Sequence, residues 1–402
     1  MIRVSTNNIY LQSVNGINAD QSAELATEAQ LSSGKQINSP SDNPVGAAQA
    51  SLLQSDITQL GQYTTNQNQA TQLLNNASST LTSVVNVMQS VRTTLVDAGN
   101  GTMSDANRSA LAAQLQQDLN QLVGLANTSD TQGGYLFGGS VTSSPPFVQN
   151  GNTVTYSGDN LVQGLQISQT RTEQVKYAGN AVFMDIPTGN GTFTTAAASG
   201  NTGTGVISTG TVTAPASLTG DNYTITVLPG GTNYQVVDTT KNTTVVASTP
   251  LGTTPTTLSF DGMQMSLSGT PAAGDTFSVA PSGTQSVFAT LSTAITALQT
   301  PSSSASAVAQ RTAAVTAALG NTDQALTSLS TTQASMGAQL SELNTYGTVN
   351  SDRTLQDKTE MSSLVDLNYA SAASQLSQQQ TEYQAALQSY SAISKLSLFT
   401  YM

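Results

Sequence analysis

Cysteine, histidine and tryptophan are all absent from this 402-residue chain. Without cysteine it can form no disulfide, so the fold is indifferent to redox compartment. Without cysteine and histidine it lacks the commonest metal ligands and any imidazole-assisted nucleophile. Only an all-carboxylate site stays open, and no cofactor is expected. Charge is scarce as well. Charged residues make up 8% of the chain, against about 25% in an average soluble protein. Acidic residues number 23 and basic ones 11, for a net charge of −12. That balance argues against nucleic acid, which requires basic patches, and against anionic membrane surfaces. No stretch approaches the length of an apolar membrane span. The opening MIRVSTNNIYLQSVNG has no apolar core of the signal-peptide kind. Read alone, these features indicate a cytoplasmic protein, unless export uses a route without a cleaved signal.

Proline is missing from three long regions: 1–39, 45–144 and 302–402. Proline costs about 3 kcal/mol inside a helix, so the outer regions are free to form long helices. The middle, which holds nine of the 12 prolines between 145 and 281, is not. The outer regions carry a matching period. Leu53, Asp56, Leu60, Tyr63, Gln67, Ala70, Leu74, Ala77, Leu81, Val84, Met88, Val91 and Leu95 step by three and four. This is a heptad seam. A second seam runs from Val308 through Val315, Thr322, Leu329 and Met336 to Leu343. Thr, Gln and Asp interrupt the apolar positions. Such a seam is weak alone and is expected to pack against other helices of the same chain, the alternative being a separate two-chain coiled coil.

The punctuation agrees. Gly34 is placed to end a first helix in the left-handed conformation. Asn43 can cap the next helix, with Pro44 at its first position, where a missing N–H costs nothing. That helix is expected to run to about Ala98, before Gly99-Asn100-Gly101, a length of roughly 80 Å. Ser104 caps a third helix ending near Asn127. From about 145 to 284 the chain turns to Thr, Val, Gly, Ser and Tyr. NYTITVL (222–228) and NYQVVD (233–238) predict strands. TLSFDGMQMSL (257–267) predicts a hairpin with Asp261-Gly262 as a type I′ turn. Helix resumes near Ser286. The expected fold is α+β and multi-domain, a long helical coiled-coil or bundle rod formed by both termini with an inserted β-rich domain.

The terminal helices are odd. SAASQLSQQQTEYQAALQSY (371–390) holds one charge, Glu382. Leu376, Tyr383, Leu387 and Tyr390 keep spacings of seven, four and three. Residues 5–33 are equally poor in apolar side chains. Such helices gain little in water without tertiary burial. Either the two termini pack together within the chain, or they order only inside an assembly that repays the ordering entropy.

Catalytic chemistry finds no footing. The Gly-Lys step in SSGKQ (32–36) lacks the earlier glycine and the following Ser or Thr of a phosphate loop. Glu24 and Glu28 lie four apart and read as a solvated helical face. Asp352, Asp357, Glu360 and Asp366 interleave with Arg353 and Lys358, a surface pairing pattern. The glycine-rich runs near 189–206 read as β-domain loops. An enzyme is not expected.

LSSGKQINSPSDNPVGAAQA (31–50) resembles the N-terminal turn of bacterial flagellins and their relatives. SSLVDLNYASAASQLSQQQTEYQAALQSYSAISKLSLFTYM (362–402) is similar to the C-terminal helix of the same superfamily. The ending KLSLFTYM suits the hook-associated junction members better than flagellins, which end in a leucine-and-arginine tail. GGYLFGGSVTSSPPF (133–147), VTYSGDNLVQGLQIS (154–168) and GDTFSVAPSGTQSVFATL (274–291) follow in the order expected of the junction members. Residues 187–270 show no such signal and read as a variable outer β domain. Glycines around Tyr135, Leu136 and Phe137 let the backbone turn out of the bundle, with the three side chains plugging the seam between rod and β region.

The resemblance implies a structural subunit of the flagellum at the joint between hook and filament. Residues 1–40 with 361–402 would pair as coiled-coil segments lining an inner tube. Residues 41–186 with 285–360 would form a helical rod with a small β part, and 187–284 an outer β domain. It implies self-association in a ring layer that binds hook-associated protein 1 and receives flagellin. It also implies export without a cleaved signal and an export chaperone on the C-terminal helix. The expected assembly face comprises Leu11, Val14 and Leu25 with Leu376, Tyr383, Leu387 and Tyr390. The rival readings are flagellin itself, or a secreted adhesin or enzyme working through the 187–284 domain.

Overall fold

The structure, a computed structural model, describes residues 6–101, 103–130, 133–140, 144–301 and 303–395. Val141–Ser143 of the 133–147 block, and the tail beyond Lys395 on which the junction-type ending was read, lie outside them. Six α-helices are described: α1 (Thr6–Ser33), α2 (Pro44–Ala98), α3 (Asp105–Ala126), α4 (Val287–Gln299), α5 (Ala305–Val365) and α6 (Tyr369–Lys395). Between α3 and α4 lie the strands. The first four are β1 (Phe147–Asn150), β2 (Thr153–Tyr156), β3 (Gly164–Gln166) and β4 (Thr172–Gln174). The next five are β5 (Ile186–Pro187), β6 (Phe193–Ala197), β7 (Val206–Ile207), β8 (Thr211–Val212) and β9 (Tyr223–Val227). The last six are β10 (Asn233–Asp238), β11 (Thr243–Pro250), β12 (Thr256–Phe260), β13 (Met263–Ser268), β14 (Thr276–Pro281) and β15 (Thr284–Gln285). The fold is therefore α+β, with long terminal helices bracketing a β-rich insertion.

The helix ends follow their capping chemistry. Gly34 ends α1 at φ 70°. Asn43 Oδ1 accepts the Gly46 N–H at 2.9 Å, opening α2 at Pro44. Asp42 accepts the N–H groups of Asn38 and Ser39 at 3.0 and 2.8 Å. These two backbone donors hold its carboxyl below the usual range. Ser104 and Ser286 cap α3 and α4. One break is not announced by glycine or proline. α5 stops at Val365 and α6 begins at Tyr369, where the Asn368 side chain accepts the Ser371 N–H at 3.2 Å.

The chain forms two compact units, residues 66–344 and residues 1–65 with 345–402. The 66–344 unit holds nearly all of the core. The α2 seam is buried there at Gln67, Ala70, Leu74, Ala77, Leu81, Val84, Met88, Val91 and Leu95. α5 buries every seventh residue, Val315, Thr322, Leu329, Met336 and Leu343. The heptads are thus satisfied within one chain. Leu115, Leu119 and Leu122 of α3 join them, as do Phe288, Leu291 and Ile295 of α4.

Leu136 and Phe137 are buried and Tyr135 half-buried, as the plug reading expects. Phe137 meets Phe183 edge-on with ring centroids 5.1 Å apart. Phe183 and Phe288 both pack on Phe147, at 5.4 and 5.3 Å. The glycines serve the turn. Gly139 sits at φ 69° against the Asp159 backbone, leaving no room for a Cβ.

The β3–β4 hairpin is fastened to two helices. Asn66 and Gln67 of α2 donate to the carbonyls of Gln166 and Ile167 at 2.7 and 2.9 Å. Arg171 forks onto Glu342 of α5 at 2.8 and 2.9 Å.

The β domain is a two-sheet sandwich. One sheet runs β11-β10-β9-β14-β6, and the other β12-β13-β7 with β8 also on β13. All the pairs are antiparallel. Alternate side chains of both sheets share one core that includes Ile225, Val236, Leu258, Met265 and Phe277. The β12–β13 turn has Asp261 at φ 44° and Gly262 at φ 76°, matching the expected I′ geometry.

Candidate assembly interface

Helices α1 and α6 lie against each other. On α1 the stripe Val14, Ile17, Asp20, Glu24, Thr27 and Leu31 is covered, with Ser13 and Gln30 at its edge; on α6 the covered positions are Ala372, Leu376, Gln379, Tyr383, Ala386 and Tyr390. Both sets step by three and four, so each helix turns one stripe inward. The stripes mix apolar side chains with Asp20, Glu24, Thr27 and Gln379, and only Thr27 and Ala372 are fully buried. At one end Tyr10 and Tyr390 pack with ring centroids 5.5 Å apart. The Tyr10 hydroxyl, hydrogen-bonded to that of Tyr390, raises the Tyr390 phenol above its usual pKa. At the other end the two helix breaks are joined by backbone hydrogen bonds. Gln36 N–H donates to Val365 O at 2.7 Å, and Leu367 N–H to Gly34 O at 3.0 Å. The Tyr369 ring sits over Gly34, so closely that a Cβ there would lie 2.7 Å from its hydroxyl.

The seven residues expected at the assembly face divide in two. Val14, Leu376, Tyr383 and Tyr390 are half-buried on the α1–α6 seam inside the chain. Leu11, Leu25 and Leu387 are 52, 59 and 41% exposed. Sequence reasoning missed further outward-facing apolar side chains, namely Val45 and Leu52 of α2, Val349 and Leu355 of α5, and Tyr369. The signal was available for Val45, Leu52, Val349 and Leu355, which fall off the seams of α2 and α5, whereas Tyr369 continues the α6 spacing. Val45 and Leu52, one heptad apart, are each 70% exposed.

The unit of 1–65 with 345–402 is built unlike the other. Its fully buried apolar side chains, among the described residues, are Leu60, Tyr63 and Ala372. The α5 seam becomes polar on entering it, with Asn350 and Asp357 in the buried positions. Ten of the 14 large apolar side chains that the described surface exposes belong to this unit. The unit holds slightly under a third of the chain, so the concentration is real. A segment with little core and much exposed apolar surface has the anatomy of an interface. No cluster of metal-ligating groups occurs among the described residues, and no described helix is long and apolar enough to cross a membrane.

Comparison with known proteins gives this anatomy its context. Residues 4–142 match the family described as the bacterial flagellin N-terminal helical region. Residues 196–281 match the D2-like domain of flagellar hook-associated protein 1, so the sandwich that showed no family signal in the sequence reading has one. The chain is 29% identical to flagellar hook-associated protein 3 of Salmonella typhimurium over 402 residues, covering 99% of both chains. A phase 1 flagellin of Salmonella naestved is 32% identical over 130 residues, covering 32% of this chain and 26% of the flagellin. The crystal structure of the flagellar junction protein FlgL from Legionella pneumophila is 30% identical, with a TM-score of 0.70, and the match covers 79% of this chain and 99% of that one. Similarity to flagellin is thus confined to part of the chain, whereas similarity to the junction proteins runs through helices and sandwich alike. The chain belongs to the family of flagellar hook-associated protein 3, the FlgL junction proteins.

Proposed function

We propose that this protein is a structural subunit of the bacterial flagellum, forming the junction between hook and filament, and that it works by assembly and not by turnover. The observation that carries the reading is the terminal unit with few buried apolar side chains and many exposed ones, in a chain whose relatives along its full length are junction proteins. In this reading the α1–α6 pair forms first within the subunit. Its outward residues Leu11, Leu25 and Leu387 then meet neighbouring subunits, joined by Val45, Leu52 and Leu355. The contacts are head-to-tail and close into a tubular layer.

The layer binds hook-associated protein 1 on one side and receives flagellin on the other. Residues 1–40 with 361–402 line the tube, 41–186 with 285–360 form the rod, and 187–284 project outward. The subunit leaves the cell without a cleaved signal, its C-terminal helix held beforehand by an export chaperone. Weakly packed termini suit both steps, since they cost little to unfold and gain their burial on assembly.

The test is Leu387→Asp. Its side chain is 41% exposed and off the α1–α6 seam, so the variant should keep the melting transition and circular dichroism of the parent. It should fail to support filament growth when it replaces the native subunit. Normal filaments on a folded Leu387→Asp subunit would overturn the proposal.

A further inference from the structure

A groove of about 460 Å³ runs between α2 and α3, lined by Ser83, Asn86 and Ser90 on one side and Gln114, Asp118 and Gln121 on the other. Asp118 is its only charged group. The residue is 5% exposed, and its Oδ2 has no hydrogen-bond partner. Its Oδ1 accepts one long bond, from Gln114 Nε2 at 3.3 Å. A buried carboxylate so poorly satisfied is costly, and burial pushes its carboxyl up from the ordinary range. No cation of the two helices serves it. Arg92, the one basic residue of α2, is held by Asp323 at 2.7 Å. Arg108 of α3 donates to the Met103 carbonyl at 2.7 Å and to Asp105. The surrounding hydroxyls and amides can supply acceptors to a donor-rich guest, since each carries an oxygen lone pair.

We propose that this groove receives the ammonium or guanidinium group of a lysine or arginine side chain from another protein chain, with Asp118 as the recognising carboxylate. Charge complementarity selects the guest. The groove holds one negative charge, no positive one, and a ring of neutral acceptors. Rotation about the soft terminal torsion of Asp118 can turn either oxygen toward the groove. A charge-assisted bond would then replace the weak one. The site lies in the helical part of the 66–344 unit and does not depend on the role of the terminal unit.

The experiment uses the full chain and three salts at equal ionic strength. Ethylammonium and methylguanidinium chloride carry N–H donors; tetramethylammonium chloride carries the charge without them. The carboxyl 13C resonance of Asp118, assigned by its loss in Asp118→Asn, is followed in each titration. The expected result is a saturable shift with the two donor cations by about 100 mM and none with tetramethylammonium. In parallel, Asp118→Leu should melt higher than the parent, because it removes a buried carboxylate that the free chain satisfies with only one long hydrogen bond. No saturable shift, or an equal shift with tetramethylammonium, would overturn the proposal. So would a lower melting temperature in both Asp118→Asn and Asp118→Leu, since that assigns the carboxylate a structural role.

Discussion

At the scale of single residues, the informative positions are those where a local cost is tolerated. Glu173 is one. Its side chain is 2% exposed beside Arg171, and burial, with Glu342 nearby, raises its carboxyl pKa. The folded chain therefore holds this proton more tightly than the unfolded chain does. Its contribution to stability is fully present below the ordinary glutamate pKa and is lost as pH rises through the raised value. Glu173→Gln should then melt above the parent at pH 7, with the advantage shrinking as pH falls toward 4. Thermal unfolding across that range checks it; a constant difference, or one growing toward acid, would contradict the sign. The position was not legible in the sequence. TEQ is a short polar strand, and nothing in its pattern says that Glu173 points inward while Arg171 reaches across to α5.

At the scale of elements, the paired break between α1 and α6 is the feature most open to test. Gly34 lies at φ 70° under the Tyr369 ring. A residue with a Cβ pays about 1–2 kcal/mol for the left-handed conformation and must also displace the tyrosine. Gly34→Ala should therefore weaken the backbone bonds from Gln36 to Val365 and from Leu367 to Gly34. Hydrogen exchange at the Gln36 and Leu367 amides should accelerate about tenfold or more, while amides in the buried stretch of α2 keep their rates. Unchanged exchange at those two amides would mean that the break does not rest on glycine.

Half of this device was readable beforehand. Gly34, Asn43 and Pro44 are strong punctuation, and the α2 ends fall at Pro44 and Ala98 as expected. The matching break at Asp366–Asn368 was not readable, because an asparagine cap inside a polar helical pattern carries no special signal. The burial of the seven side chains expected at the assembly face was half readable for a related reason. Heptad spacing tells which side chains share a stripe, and it found Leu376, Tyr383 and Tyr390. It does not tell whether the stripe faces the chain's own partner helix or a neighbour. Here the stripe faces α1, yet Leu387, which keeps the same spacing, faces outward at 41% exposure, so spacing alone did not sort inward from outward.

At the scale of the whole molecule, the division of labour follows composition. Proline, glycine and β-branched residues concentrate in the middle, where two sheets close over a core of their own. Charge-poor sequence at both ends yields long helices whose seams are well buried in the 66–344 unit and thinly buried in the terminal one, where α5 carries Asn350 and Asp357 in its buried positions. That contrast was visible in the thin apolar content of residues 5–33 and 371–390. The kinship of the sandwich to a hook-associated domain was not visible, because short strands of Thr, Val and Ser fit many β folds equally well. The flagellin family model reaches residues 4–142, so the match to hook-associated protein 3 along the full chain is what separates the two readings.

The central claim is that the chain joins hook to filament, and a deletion strain tests it most directly. Its cell surface would be imaged by electron microscopy and its medium assayed for flagellin. The account expects bare hooks, with unpolymerised flagellin released into the medium. Intact filaments in the deletion strain would contradict it, and bare hooks without flagellin anywhere would mean that the missing chain was the filament subunit itself.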